Sequence, residues 1–275
     1  MQKLEKNNSN NRILILADFS EGGWTAARFA MEHLYQPGSI IYILQTWQKP
    51  SYGSSMVRDL TSILQNITNS ELKALKRKML SIYPDLEKDI HLLSVEGELS
   101  QFFESDAYLN HQWQLVMSTK YKNGETSKNP RFTEIIDQVN QPLYLLNDID
   151  YVDNIPNVFL MTSNKMVSSE VLNVLQQINA KQYSNIQVCL EDDTISQLTK
   201  EKQIKLVSNV CTNSKLRFSK LCSDNGLNQI REYERKRIPN LMIFDKNRNR
   251  KIQNKLKNYL DRWLVKSKGI SIGTY

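Results

Sequence analysis

With 275 residues, 40% of them apolar and 24% charged, the chain is large enough for one big α/β domain or two of ordinary size. No run approaches the roughly 18 apolar residues of a membrane span, and the polar opening MQKLEKNNSNN has no apolar signal core; a soluble, cytoplasmic protein without a membrane partner is expected. A formal net charge of +7 attracts acidic partners without identifying one.

The first apolar run, RILILADFS, reads as a strand ending in Asp18 and Ser20. Trp24, Ala27, Met31 and Leu34 follow at the spacing of a helix packed on one side. Pro37 and Gly38 close that helix, and residues 39–47 form a second strand. Its continuous β-rich composition suits a strand covered on both faces. Met56, Leu60, Ile63, Leu64, Ile67, Leu72, Leu75 and Met79 mark a long helix ended near Tyr83 and Pro84. A third strand is predicted over 90–95, and a helix over 97–110 with Leu99, Phe102 and Phe103 inward. A fourth strand over 115–118, a helix over 132–139 and a fifth strand over 143–146 complete the series. Such alternation calls for a parallel sheet with right-handed crossovers.

After the polar stretch NDIDYVDNIPN, the same order begins again. VFLMTS, IQVCLE, LRFSKLC, LMIF and ISIGTY read as strands, with helices over 167–178, 194–210, 227–235 and 250–266 between them. Two copies of one five-strand unit, over 1–148 and 152–275, have normal domain sizes.

Four stretches of the first copy resemble the universal stress protein family. RILILADFSEGGWTAARFA is similar to its opening strand, acidic turn and Ala-rich helix. VEGELSQFF resembles the Gly-acid start of the helix after strand three, and QLVMSTKYKNG the fourth strand. FTEIIDQVNQPLYLL resembles the last helix and strand five. The resemblance implies two tandem, doubly wound, Rossmann-like (HUP-type) units, each with a five-stranded parallel sheet sandwiched by helices. It also implies that the units pair through their fifth strands, placing 143–146 beside 270–272 as a pseudo-twofold pair within the chain. A homodimer of whole chains is compatible with the same pattern.

In nucleotide-binding members an acid at the first strand end and backbone at the second and fourth strand ends hold adenosine. A loop of form G-x-x-G-x9-G-[ST] then wraps the phosphates. The matching positions here are Asp18, Thr46, Met117, Ser118 and Gly124. The loop itself is eroded. Tyr121 stands where the first Gly belongs, and the final Gly-[ST] pair falls on Glu134 and Ile135, or on Asn129 and Pro130 if the loop is shortened. A Tyr side chain fills the approach that Gly leaves open, and proline has no N–H for an anion. A Glu at the phosphates adds repulsion on the order of 1 kcal/mol. Lys120, Lys122 and Lys128 offer charge without the geometry of a backbone nest. In the second copy the first strand ends in Thr162 and Ser163, so the acid is gone, and DKNRNRKIQNK after LMIF has no glycine.

Other chemistry is sparse. Asp18 with Ser20 can equally cap the following helix. Cys189, Cys211 and Cys222 form no CxxC pair and read as reduced core thiols. His33, His91 and His111 fit no metal motif, and neither GxSxG nor GxxxxGK[ST] occurs. Residues 231–268 are strongly basic, a possible footprint for nucleic acid. However, Ile252, Leu256, Tyr259, Leu260, Trp263 and Leu264 make a helical stripe whose charges belong on a solvated face. The expectation is a non-enzymatic stress-response protein acting through contacts with another protein, without cofactor or metal. An ATP or AMP sensor using the first unit and a nucleic-acid-binding C-terminal segment are the alternatives.

Overall fold

Arg12–Leu16 (β1), Ile40–Trp47 (β2), Ile90–Glu96 (β3), Trp113–Ser118 (β4) and Leu143–Leu146 (β5) are the strands of the first half. The computed structural model describes residues 11–17, 21–48, 60–118, 135–136, 138–147, 155–162, 166–190, 197–220 and 240–245. Between these strands lie α1 (Glu21–Phe29), which continues as a π-helical turn over Ala30–Leu34, and α2 (Thr61–Leu80). Two short helices follow β3, α3 (Leu99–Glu104) and α4 (Asp106–Leu109). The second half contributes β6 (Asn157–Thr162), α5 (Ser169–Lys181), β7 (Asn185–Leu190), α6 (Gln197–Val210), β8 (Lys215–Lys220) and β9 (Leu241–Phe244).

All nine strands belong to one sheet, in the order β3-β2-β1-β4-β5-β9-β6-β7-β8. The first five run parallel to one another, as do β9, β6, β7 and β8. The order β9-β6-β7-β8 repeats β4-β1-β2-β3, so the repeat read in the sequence is also a repeat of strand order. This is the expected doubly wound α/β architecture, with four strands of the second half among the described residues.

The two parallel sets meet antiparallel at β5 and β9, with Leu143 opposite Phe244 and Leu146 opposite Leu241. This corrects the expected pairing of 143–146 with 270–272. A strand has two hydrogen-bonding edges, and those of β5 are taken by β4 and β9. LYLL and LMIF are both four residues long and wholly buried, so they match rung for rung. Alternation then sorts their side chains. Tyr144, Leu146, Leu241 and Ile243 enter the core on one face, while Leu143, Leu145, Met242 and Phe244 enter the core on the other. Each of these two cores contains residues from both halves of the chain.

One predicted helix is two. The segment predicted over 97–110 breaks at Ser105, whose ψ of 152° is extended and whose hydroxyl donates to the Phe102 carbonyl at 2.6 Å. That back-bond competes with the helical ladder. The break lets Phe103 and Tyr108 meet edge-on, their ring centroids 4.9 Å apart. At the start of α3, Gly97 has φ +114° and a Cβ there would strike Gln101 Oε1. That oxygen accepts from the Glu98 N–H at 3.1 Å, half of a capping box. The Gly-acid motif is thus a backbone requirement of this helix start. The helix over 132–139 is described only in part: Ile135, Ile136 and Gln138 are helical. The helices over 227–235 and 250–266 and the strand ISIGTY lie outside the described residues.

Because β5 feeds both cores, Leu145→Ala should lower stability by about 2–5 kcal/mol. Urea unfolding followed by far-ultraviolet circular dichroism and by tryptophan fluorescence should shift together. Separate transitions by the two probes would show that the halves unfold independently.

Candidate functional site at the strand ends

In an open parallel α/β sheet a ligand site forms beyond the strand C-termini, where successive connections diverge to opposite sides. The strand order puts one such point between β1 and β4 and a second between β6 and β9.

At the first point, the β1–β4 register ends with Ile15 opposite Val116. Continued by two residues, it sets Ala17 across from Ser118. The Ala17 N–H donates to the Leu44 carbonyl at 2.9 Å, and Thr46 follows two residues later on β2. Thr46, Met117 and Ser118 are all buried. The structure therefore brings these three sequence-nominated positions to one end of the sheet. Asp18, Gly124 and the lysines of the eroded loop lie outside the described residues.

The second point is built differently. Matching the bond from Ile40 N–H to Asn11 O with that from Asn185 N–H to Pro156 O superposes the halves. Thr162 then takes the place of Ala17, and Asp245 the place of Ser118. Asp245 is 2% exposed and follows directly on β9. Its carboxylate accepts from Thr162 Oγ1 at 3.2 Å and from the Ser168 backbone N–H at 3.0 Å, and its own N–H donates to Met161 O at 2.9 Å. Ser168 is the residue that opens α5, a helix of 13 residues. The start of a helix presents free N–H groups and a positive dipole end, the usual seat of a bound anion. Here the chain supplies the anion itself.

Sequence reasoning missed Asp245 because it looked for an acid at the end of the first strand of each unit. In the second half the acid stands on the neighbouring strand. The available signal was LMIFD, a wholly apolar run ending in a carboxylate.

The field of this corner reaches the first half. Tyr144 is fully buried on β5, and its hydroxyl ionises well above the ordinary tyrosine range, first because of burial and then because Asp245 and Glu170 are negative. The described cysteines, Cys189 and Cys211, are buried, and burial pushes the Cys211 thiol up to about 12. Cys222 lies outside the described residues. His33 is buried, His91 stacks on Tyr42, and His111 meets Trp113 edge-on. Among the described residues no three His, Cys, Asp or Glu side chains gather as metal ligands, and no helix is long and apolar enough to cross a membrane. Two cavities of about 470 and 480 Å³ are lined by described residues, and neither is lined by Thr46, Met117 or Ser118.

No family model matches the chain, and no curated protein does. Solved structures do. The cytoplasmic domain of a prokaryotic cation chloride cotransporter is 11% identical, with 87% of this chain and 96% of that one covered and a TM-score of 0.41. A universal stress protein from Archaeoglobus fulgidus is 11% identical, with 86% and 96% covered and a TM-score of 0.42. A functionally unknown protein from Pseudomonas aeruginosa is 8% identical, with 93% and 98% covered and a TM-score of 0.42. The fold assignment stands on the strand order and not on these values.

Asp245→Ala removes an acceptor from two buried donors and should cost about 1–3 kcal/mol in urea unfolding. A change within error would show that the carboxylate does not hold the α5 start. Thiolate is the reactive form of cysteine, so burial with a raised pKa makes Cys211 inert at pH 8. Iodoacetamide labelling of Cys189 and Cys211, read by peptide mass spectrometry, should appear only with denaturant.

Proposed function

We propose that the chain is a non-enzymatic regulatory protein of the universal stress protein type, which has given up nucleotide binding and acts through contacts with another protein. The observation that carries this reading is Asp245, a carboxylate seated at the start of α5 in the second half. An incoming phosphate there would meet like charge and would have to break bonds already made. In the first half the support comes from the sequence: Tyr121 replaces a loop glycine, and neither alignment restores the Gly-[ST] pair.

The second reading is an adenosine or AMP sensor in the first half. It is favoured by the convergence of Thr46, Met117 and Ser118 at one sheet end. Such a sensor would bind through the nucleoside and gain nothing from added phosphates.

Isothermal titration of the full chain with ATP, AMP and adenosine separates the two. The proposal predicts no saturable heat with any of them up to millimolar concentration. Micromolar ATP binding that Asp18→Ala abolishes would overturn it. Equal binding of adenosine and ATP would establish the sensor in its place.

A further inference from the structure

The antiparallel seam sets the N-terminal ends of β1, β4 and β5 beside the C-terminal ends of β6 and β9, since Leu143 lies opposite Phe244. A cavity of about 470 Å³ opens along this junction. Its walls come from both halves: the starts of β1, β4 and β5, the π-helical turn after α1, and the first two turns of α5. That volume is in the range of small-molecule sites, which favour such junctions. Its chemistry is unusual for a chain of net charge +7. Among the described residues, seven lining side chains are carboxamides and no lysine or arginine lines it.

The inner carboxamides are held in fixed orientations. Tyr144 Oη donates to Gln114 Oε1 at 3.0 Å, and Gln114 Nε2 donates to Asn11 Oδ1 at 2.6 Å. Asn11 Nδ2 in turn donates to the Leu34 carbonyl at 3.4 Å and to Ser39 Oγ at 3.3 Å. Gln141 accepts from the Trp113 N–H and donates to the His111 carbonyl, each at 3.3 Å. Every carboxamide oxygen has two lone pairs, so Asn11 Oδ1 and Gln114 Oε1 can each accept a second bond beside the one they already accept. Side chains fixed in this way lose little entropy on binding. The outer wall adds Asn173 and Glu170 on α5, the latter accepting from Ser169 Oγ at 3.1 Å.

Charge narrows the ligand. A phosphate or carboxylate would face Glu170, and no lysine or arginine among the described lining residues offers it a charge partner. A polyamine needs several carboxylates, and Glu170 is the one acid among the described lining residues. An apolar molecule would strip water from the carboxamides and return no hydrogen bonds. A ligand whose hydroxyls each donate and accept fits what remains. We propose that this cavity binds a small neutral polyhydroxy compound of the sugar or cyclitol class, with Gln114, Gln141, Asn173 and Glu170 as its hydrogen-bonding partners. None of Thr46, Met117 and Ser118 lines this cavity, so failure of either proposal leaves the other standing.

Titration of the ¹⁵N-labelled full chain with trehalose, glucose and myo-inositol tests the proposal by NMR. At least one should bind saturably in the millimolar range, shifting the side-chain amide signals of Gln114 and Gln141. Asn173→Leu, at an exposed helical position, should leave the fold intact and weaken that binding about tenfold, the effect of one or two lost hydrogen bonds. The proposal is overturned if none of the three probes saturates, if the Asn173→Leu protein binds like the parent, or if spermidine or glucose 6-phosphate binds more tightly than all three.

Discussion

The antiparallel pairing of Leu143–Leu146 with Leu241–Phe244 joins the two halves of this molecule into one sheet. Everything else follows from it. It unites two oppositely directed parallel sets, and it lets each face bury a core drawn from both halves. It also fixes which ends of the strands are neighbours. The C-terminal ends of β6 and β9 come to lie against the N-terminal ends of β1, β4 and β5. That adjacency explains why Asp245 and Glu170, both from the second half, act on the hydroxyl of Tyr144 in the first. The same adjacency creates the carboxamide-lined cavity, which neither half could form alone.

Most of the strands and long helices could be read directly, because the runs that form them are continuous and apolar or recur at helical spacing. RILIL, LYLL and LMIF have no competing interpretation at their lengths. Which apolar run pairs with which is a different matter. LMIF and the segment over 270–272 are both short and β-rich, and nothing local says which of them meets LYLL. The choice depends on matching length and burial across almost a hundred residues of chain, which periodicity does not encode. The break at Ser105 was hidden for a local reason. Phe102, Phe103 and Tyr108 keep plausible helical spacing, while a single hydroxyl turning back on the Phe102 carbonyl interrupts the ladder.

The candidate site was legible in part. Thr46, Met117 and Ser118 could be named because the family resemblance maps its strand-end positions onto them, and the structure brings them to one end of the sheet. Asp245 could not be found by scanning for an acid at the end of the first strand of each half, since it follows the neighbouring strand, β9. Only the paired register of β1 with β4 and of β6 with β9 makes Asp245 equivalent to Ser118. The carboxamide cavity was invisible for the same kind of reason. Asn11, Gln114, Gln141 and Asn173 are scattered through the sequence, and each alone looks like an ordinary polar residue near the end of an element.

The carboxylate of Asp245 has one more consequence. It is tethered to the strand beside the helix it serves, so its local concentration is set by covalent geometry and not by what dissolves around it. A free competitor would have to outbid a rival that never diffuses away. The start of α5 is therefore filled from within the chain, whatever the concentration of small anions in the surrounding solution.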